Sequence, residues 1–150
     1  VFNKSGELCK KSGMKFGYHN HDFEFSQKLN DMKVFDIIMQ NTDPSLVAQQ
    51  LDIGNMYHAG GIALDIVKQY PGRFELMHVK DEIKSAKGEM GGSYESTILG
   101  KGIMPVKDII DLGRKSGGTK HFIIEQESYQ DKTPLECVKI DFDIMKGWGY

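Results

Sequence analysis

Lys15–Phe25 reads KFGYHNHDFEF, and the reading of this stretch decides the reading of the rest. It opens as a strand and ends in side chains of the kind that bind metals or move protons. Side chains alternate along a strand, so Phe16, Tyr18 and Asn20 face one way and Gly17, His19 and His21 the other. Two imidazoles then share a face at the strand's carboxyl end, with Asp22 and Glu24 just beyond. In parallel α/β proteins ligands gather at that end. Two histidines on one strand are equally compatible with a packed core pair, so recurrence of the pattern is what decides.

The pattern recurs. Ser45–Asp52 (SLVAQQLD), Arg73–Asp81 (RFELMHVKD) and His121–Ser128 (HFIIEQES) each read as a strand ending in a carboxylate or imidazole. Helical periodicity fills the spaces between. Residues 2–12 form an amphipathic helix stopped by Gly13. After a polar turn at 26–30, Val34–Met39 form a second, with Asp31 near its start. Ile62–Tyr70 is ended by Pro71-Gly72, a further helix is opened by Pro105 and closed by Gly117-Gly118, and Pro134–Lys146 is the last. Trp148 is expected to pack the tail down. The stretch 82–102 is polar and glycine-rich, long enough to be a lid or substrate loop.

A helix followed by four strand–helix units predicts an α/β protein with a parallel sheet and right-handed crossovers. A closed (β/α)8 barrel takes roughly 250 residues, and this chain has 150. The expectation is a single domain over 1–150 that is a piece of a longer barrel, consistent with a start at Val1 inside a helical pattern.

Composition is that of an ordinary globular domain, 39% hydrophobic and 27% charged. A net charge of −2 offers no basic face for nucleic acid. No apolar run approaches the ~20 residues of a membrane helix, and no signal-peptide pattern is visible. Cys9 and Cys137 form no CxxC and read as free buried thiols, which fits a cytoplasmic location.

Collected together, the strand ends supply His19 and His21, then Asp52, then His78, then Glu125 with Glu127. Imidazole and carboxylate donors suit a divalent cation such as Mn²⁺, Co²⁺, Zn²⁺ or Fe²⁺, with Mg²⁺ also admitted. Such an ion polarises a carbonyl or hydroxyl and makes the neighbouring C–H acidic enough for a carboxylate to remove. Asn55, Lys80 and Asp81 follow closely and are candidates for holding substrate oxygens. Asp52 is also a natural helix N-cap, and Lys80-Asp81 could be a surface ion pair of small energetic worth. His121 opens its strand at the opposite end and reads as structural; His58, in a glycine-rich segment, stays undecided.

GYHNHDFEF, LDIGNMYHAGG, PGRFELMHVKD, ILGKGI and FIIEQESY, in that order, resemble the sugar phosphate isomerase/epimerase family with a xylose isomerase-like TIM barrel. That superfamily includes inosose dehydratases, tagatose and psicose epimerases and endonuclease IV. The resemblance covers essentially the whole chain and implies the C-terminal half of the barrel, strands five to eight. It implies one divalent metal held by Glu, Asp, His and Glu, of which Asp52, His78 and Glu125 match. His19 stands where the epimerases have the first Glu, as in inosose dehydratases, which puts symmetric two-carboxylate epimerisation in doubt; Glu24 is the alternative carboxylate.

The resulting expectation is a metal-dependent isomerase or epimerase acting beside a carbonyl of a sugar or polyol-derived ketone. A dehydratase or lyase is the second reading, and a non-catalytic metal- or carbohydrate-binding relative the third. The expected metal ligands are His19, Asp52, His78 and Glu125. Glu125 is the base, with His19, His21 and Glu127 as further acid–base groups, and Asn55, Lys80, Asp81 and Glu24 contact substrate. The expected partner is a small sugar, with neither nucleic acid nor membrane, and with self-association through the open sheet edges.

Overall fold

Val47, Gln49 and Leu51 are buried, while Ala48 and Gln50 between them are half exposed. That alternation is the mark of a strand covered on one face only. In the computed structural model, which describes residues 1–86, 88–89 and 92–150, the same alternation organises four parallel strands. They are β1 (Phe16–His19), β4 (Val47–Asp52), β5 (Leu76–Val79) and β8 (His121–Ile124), adjacent in that order. Register pairs His19 with Gln50, Asp52 with His78 and His78 with Ile123. The parallel α/β sheet of the sequence reading is therefore present, each strand shorter than expected.

Helices cover one face. They are α1 (Phe2–Lys11), α2 (Phe23–Ser26), α3 (Val34–Asn41), α4 (Ile53–His58), α5 (Ala63–Gln69), α6 (Val106–Leu112) and α7 (Pro134–Gly147). Leu51, Met77 and Val79 of the sheet join Phe35, Met39, Val67, Ile109, Ile110 and Met145 of the helices in one apolar core. Burial at about 25 cal/mol per Å² of apolar surface is what holds these layers together. Thr133 opens α7 with a reciprocal capping box to Glu136, and Pro134 occupies its first turn. Trp148 lies against the core as expected. Cys137 is buried, but Cys9 is only partly so; both are free.

The inner face mixes polar, small and apolar groups. Gly17, His19, Ala48, Gln50 and Leu76 line an open trough of about 430 Å³. Strands β1 and β8 form the two edges of the four-stranded sheet. No helix among the described residues is long and apolar enough to cross a membrane.

Three local expectations change. The turn at 26–30 carries a two-stranded ribbon, β2 (Lys28–Leu29) with β3 (Met32–Lys33), and Asp31 sits in its turn at φ 64° rather than at a helix start. Ile53–His58, expected as a loop, is helix α4. The stretch 82–102, expected as a lid, is rooted by an antiparallel hairpin of β6 (Asp81–Lys84) with β7 (Tyr94–Thr97), in which Glu82 and Ser96 are fully buried. Lys87, Met90 and Gly91 of that stretch lie outside the described residues.

Asp81 explains the hairpin's root. Its carboxylate is fully buried and accepts four backbone N–H groups: Glu82 at 2.9 Å and Met104 at 3.1 Å on Oδ1, Gly100 at 2.8 Å and Gly102 at 2.9 Å on Oδ2. A Cβ at residue 102 would lie 2.2 Å from Asp81 Oδ1, so only glycine lets the loop close on it. Asp81 is thus a structural anchor, not a substrate contact. Asp81→Asn keeps the size but turns an amide N–H toward backbone donors. Its expected cost is about 2–4 kcal/mol, read as a lowered urea midpoint by circular dichroism.

Candidate functional site

His19 closes β1, Asp52 closes β4, His78 is the third residue of β5, and Glu125 follows β8 directly. Register places these four side by side at the carboxyl ends of the strands. Asp52 is fully buried and caps α4: Oδ1 accepts the Asn55 N–H at 2.7 Å and Oδ2 accepts the Asn55 side-chain amide at 3.1 Å. Oδ2 also faces His19 Nε2 at 3.8 Å and His78 Nδ1 at 3.6 Å. Those spacings are too long for hydrogen bonds. They are close to the ~3–3.5 Å that separates donors sharing one ion at about 2.1 Å. His78 Nδ1 meets Glu125 Oε2 at 2.6 Å.

Neighbours set the charge states. Burial, the largest influence, pulls His19 below its ordinary pKa against the attraction of Asp52. Its Nδ1 lies 3.1 Å from Gln50 Oε1, which holds the proton on Nδ1 and leaves the Nε2 lone pair toward Asp52. His78 is pushed up to about 9 by the carboxylates of Asp52 and Glu125. Glu125 is held down chiefly by the His78 hydrogen bond. The His78–Glu125 pair therefore shares a proton in a charged hydrogen bond.

The remaining candidates part company. His21 is exposed, its ring edge-on to His19 with centroids 5.0 Å apart, within reach of the same ligand. Glu24 is fully buried and takes the Tyr18 hydroxyl and, at 2.9 Å, the His21 N–H. It props the strand end and does not supply the missing carboxylate. Asn55 is spent on Asp52. Lys80 is not a surface ion pair: it is wholly buried, bridged to Glu127 and lying 3.3 Å from Glu89. Burial would lower its pKa, but those carboxylates outweigh it and hold the ammonium charged. Half-exposed Glu127 is thus the partner of Lys80 rather than of His78. His121 is exposed at the opposite end of the sheet, as expected.

Gln50 and Ser96 were not singled out from the sequence. Gln50 could have been found as the residue two before Asp52 on the same strand face. Ser96 Oγ donates to Glu89 at 2.5 Å and accepts the N–H groups of Glu127 and Ser128 at 2.8 and 2.9 Å. It holds the Glu89 carboxylate and the Glu127 backbone beside Lys80, through a fold-back that no local pattern announces.

Asn20 ties β1 to β4 just below the site, donating to Asp52 O at 3.0 Å and accepting Asp52 N–H at 2.9 Å. Asn20→Ala strands both groups in a buried setting. A loss of about 2 kcal/mol is expected, with the Asp52 amide exchanging at least tenfold faster by NMR while amides in α7 are unchanged.

The segment is 27% identical over 150 residues to an inosose dehydratase of Bacillus licheniformis, covering 92% of this chain and 49% of that protein. A stretch of 79 residues is 37% identical to the inosose dehydratase of Clostridium perfringens, covering 53% of this chain and 26% of that one. A sugar phosphate isomerase/epimerase from Parabacteroides distasonis superposes with a TM-score of 0.76 at 25% identity, over 97% of this chain and 49% of the other. The chain thus spans at most about half the length of these relatives. The family model described as xylose isomerase-like TIM barrel matches residues 1–147, and the chain belongs to that family.

Proposed function

We propose that His19, Asp52, His78 and Glu125 hold one divalent cation and that the site removes a proton next to a carbonyl of a sugar or keto-polyol. The observation that carries this is the convergence of His19 Nε2 and His78 Nδ1 on Asp52 Oδ2, with Glu125 against His78. One ligand atom from each of His19, Asp52 and His78 lies within 4.8 Å of the others. Bound there, the ion would supply Lewis acidity to a substrate oxygen. Glu125 takes the proton from carbon. Exposed His21 beside His19 would return one to an oxygen, because both ring nitrogens of His19 are engaged, Nδ1 by Gln50 and Nε2 by the cation.

Within that chemistry the geometry favours loss of water over epimerisation. Epimerisation by two opposed carboxylates needs a second one on β1, where His19 stands and Glu24 is already occupied. An imidazole protonates a leaving hydroxyl near neutral pH, and the inosose dehydratase relatives agree with this choice. Isomerase or epimerase remains the alternative suggested by the structural neighbour. The trough is open on one side, so we further propose that more strands or a second copy pair with β1 and β8 to complete the wall.

Two measurements test the site. His78 must give up its proton to bind metal, and its pKa of about 9 lies above neutral pH. Below that value each unit of pH lost should weaken binding about tenfold. Mn²⁺ or Zn²⁺ titrations from pH 6 to 8 should therefore tighten by that factor per unit, and His78→Ala should lose tight binding while remaining folded. A flat pH profile would remove His78 from the ligand set. Glu125→Gln should cut dehydration of an inosose, and deuterium exchange beside its carbonyl, by about a hundredfold or more. Full exchange in that variant would require another base, and none in the parent protein would favour a relative that only binds.

A further inference from the structure

Glu82 is fully buried, and neither of its carboxylate oxygens has a hydrogen-bond partner. Its near neighbour is His58 Nε2, 3.2 Å from Oε2. That contact has the length of a hydrogen bond but not its alignment, and Nε2 also lacks a hydrogen-bond partner. Glu89 completes the group: Ser96 takes its Oε1, while Oε2 lies 3.3 Å from Lys80 without a formed hydrogen bond. One ligand atom from each of His58, Glu82 and Glu89 lies within 4.8 Å of the others. A buried charged group left without a partner costs more than the ~1–3 kcal/mol of a neutral one. Glu82, with neither oxygen hydrogen-bonded and with His58 and Glu89 beside it, asks for an occupant.

The backbone is arranged to allow it. His58 lies four residues after Gly54 on α4, so the two share a helix face. A Cβ at residue 54 would come within 2.7 Å of Glu82 Oε1 and 2.6 Å of Lys80 Cδ. Glycine there lets Glu82 lie along α4 toward His58. Lys80 offsets the Glu89 charge, but its ammonium also bridges Glu127 and makes no hydrogen bond to Glu82, whose oxygens stay unsatisfied. A water would satisfy one or two acceptors but leave the negative charge in place. A cavity of about 200 Å³ lies beside the group, lined by His58 and Glu89 together with Asn55, Asp22 and Tyr94.

We infer that His58, Glu82 and Glu89 form a second divalent-cation site, distinct from the Asp52 centre, that clamps the β6–β7 hairpin to α4. One imidazole and two carboxylates select a borderline ion, Zn²⁺ or Mn²⁺. Asn55 lines the cavity and also donates to Asp52, so the two centres are neighbours joined by one side chain.

Metal-stripped protein titrated with ZnCl₂ by calorimetry, with bound zinc counted after gel filtration, tests the inference. The parent protein should take up two equivalents, His58→Gln one, His78→Ala one, and the double variant none. Circular dichroism reports folding. If Glu82→Gln does not fold, His58→Gln decides, since His58 is only partly buried on α4. Equal zinc uptake by the parent and His58→Gln would overturn the second site. Loss of one equivalent in His58→Gln alongside unchanged uptake in His78→Ala would support this site while removing the Asp52 centre.

Discussion

A single buried carboxylate, Asp52, holds the site together. Burying an ionised carboxylate costs several kcal/mol unless hydrogen bonds and opposite charge compensate it. Here the first turn of α4 supplies both Asn55 hydrogen bonds, and Asn20 clamps the residue's backbone from the neighbouring strand. Oδ2, which also accepts the Asn55 side-chain amide, faces His19 and His78. Both oxygens thus serve the cap, and one of them is also turned toward the two imidazoles.

A second layer of buried charge lies behind the first. Lys80, Glu89 and Glu127 are linked across β5, the hairpin and the end of β8, with Ser96 holding the Glu89 carboxylate and the Glu127 backbone. Burial would raise the Glu89 carboxyl, but the Ser96 hydroxyl and N–H prevail and hold it down to about 2. A lysine kept charged beside the Asp52 centre makes the strand ends less negative than the carboxylate count implies.

The sequence showed the fold class and the four convergent residues because both rest on local periodicity. Alternation within β4 and the ligand-type residue at each strand end are written in consecutive letters. Roles decided by long-range folding were not legible. Asp81 reads like the Lys80 beside it, yet it collects backbone N–H groups from a loop some twenty positions away. Glu24 is paired only because α2 turns it back on Tyr18 and His21. The hairpin escaped notice because glycines and polar residues mimic a loop, while its buried members are Glu82, Ser96 and Thr97 rather than an apolar alternation.

The same distinction explains the trough. Leu51, Met77 and Val79 point to the helices and join their apolar core. The opposite face carries Gly17, Ala48, Gln50, His19 and His78, together with Leu76 and the exposed Ile123, so polar, small and apolar groups share it. Close burial against the helices is therefore the main source of hydrophobic stabilisation in the sheet. The candidate residues at the strand ends lie on the other face, and the pleat keeps the two sets apart residue by residue.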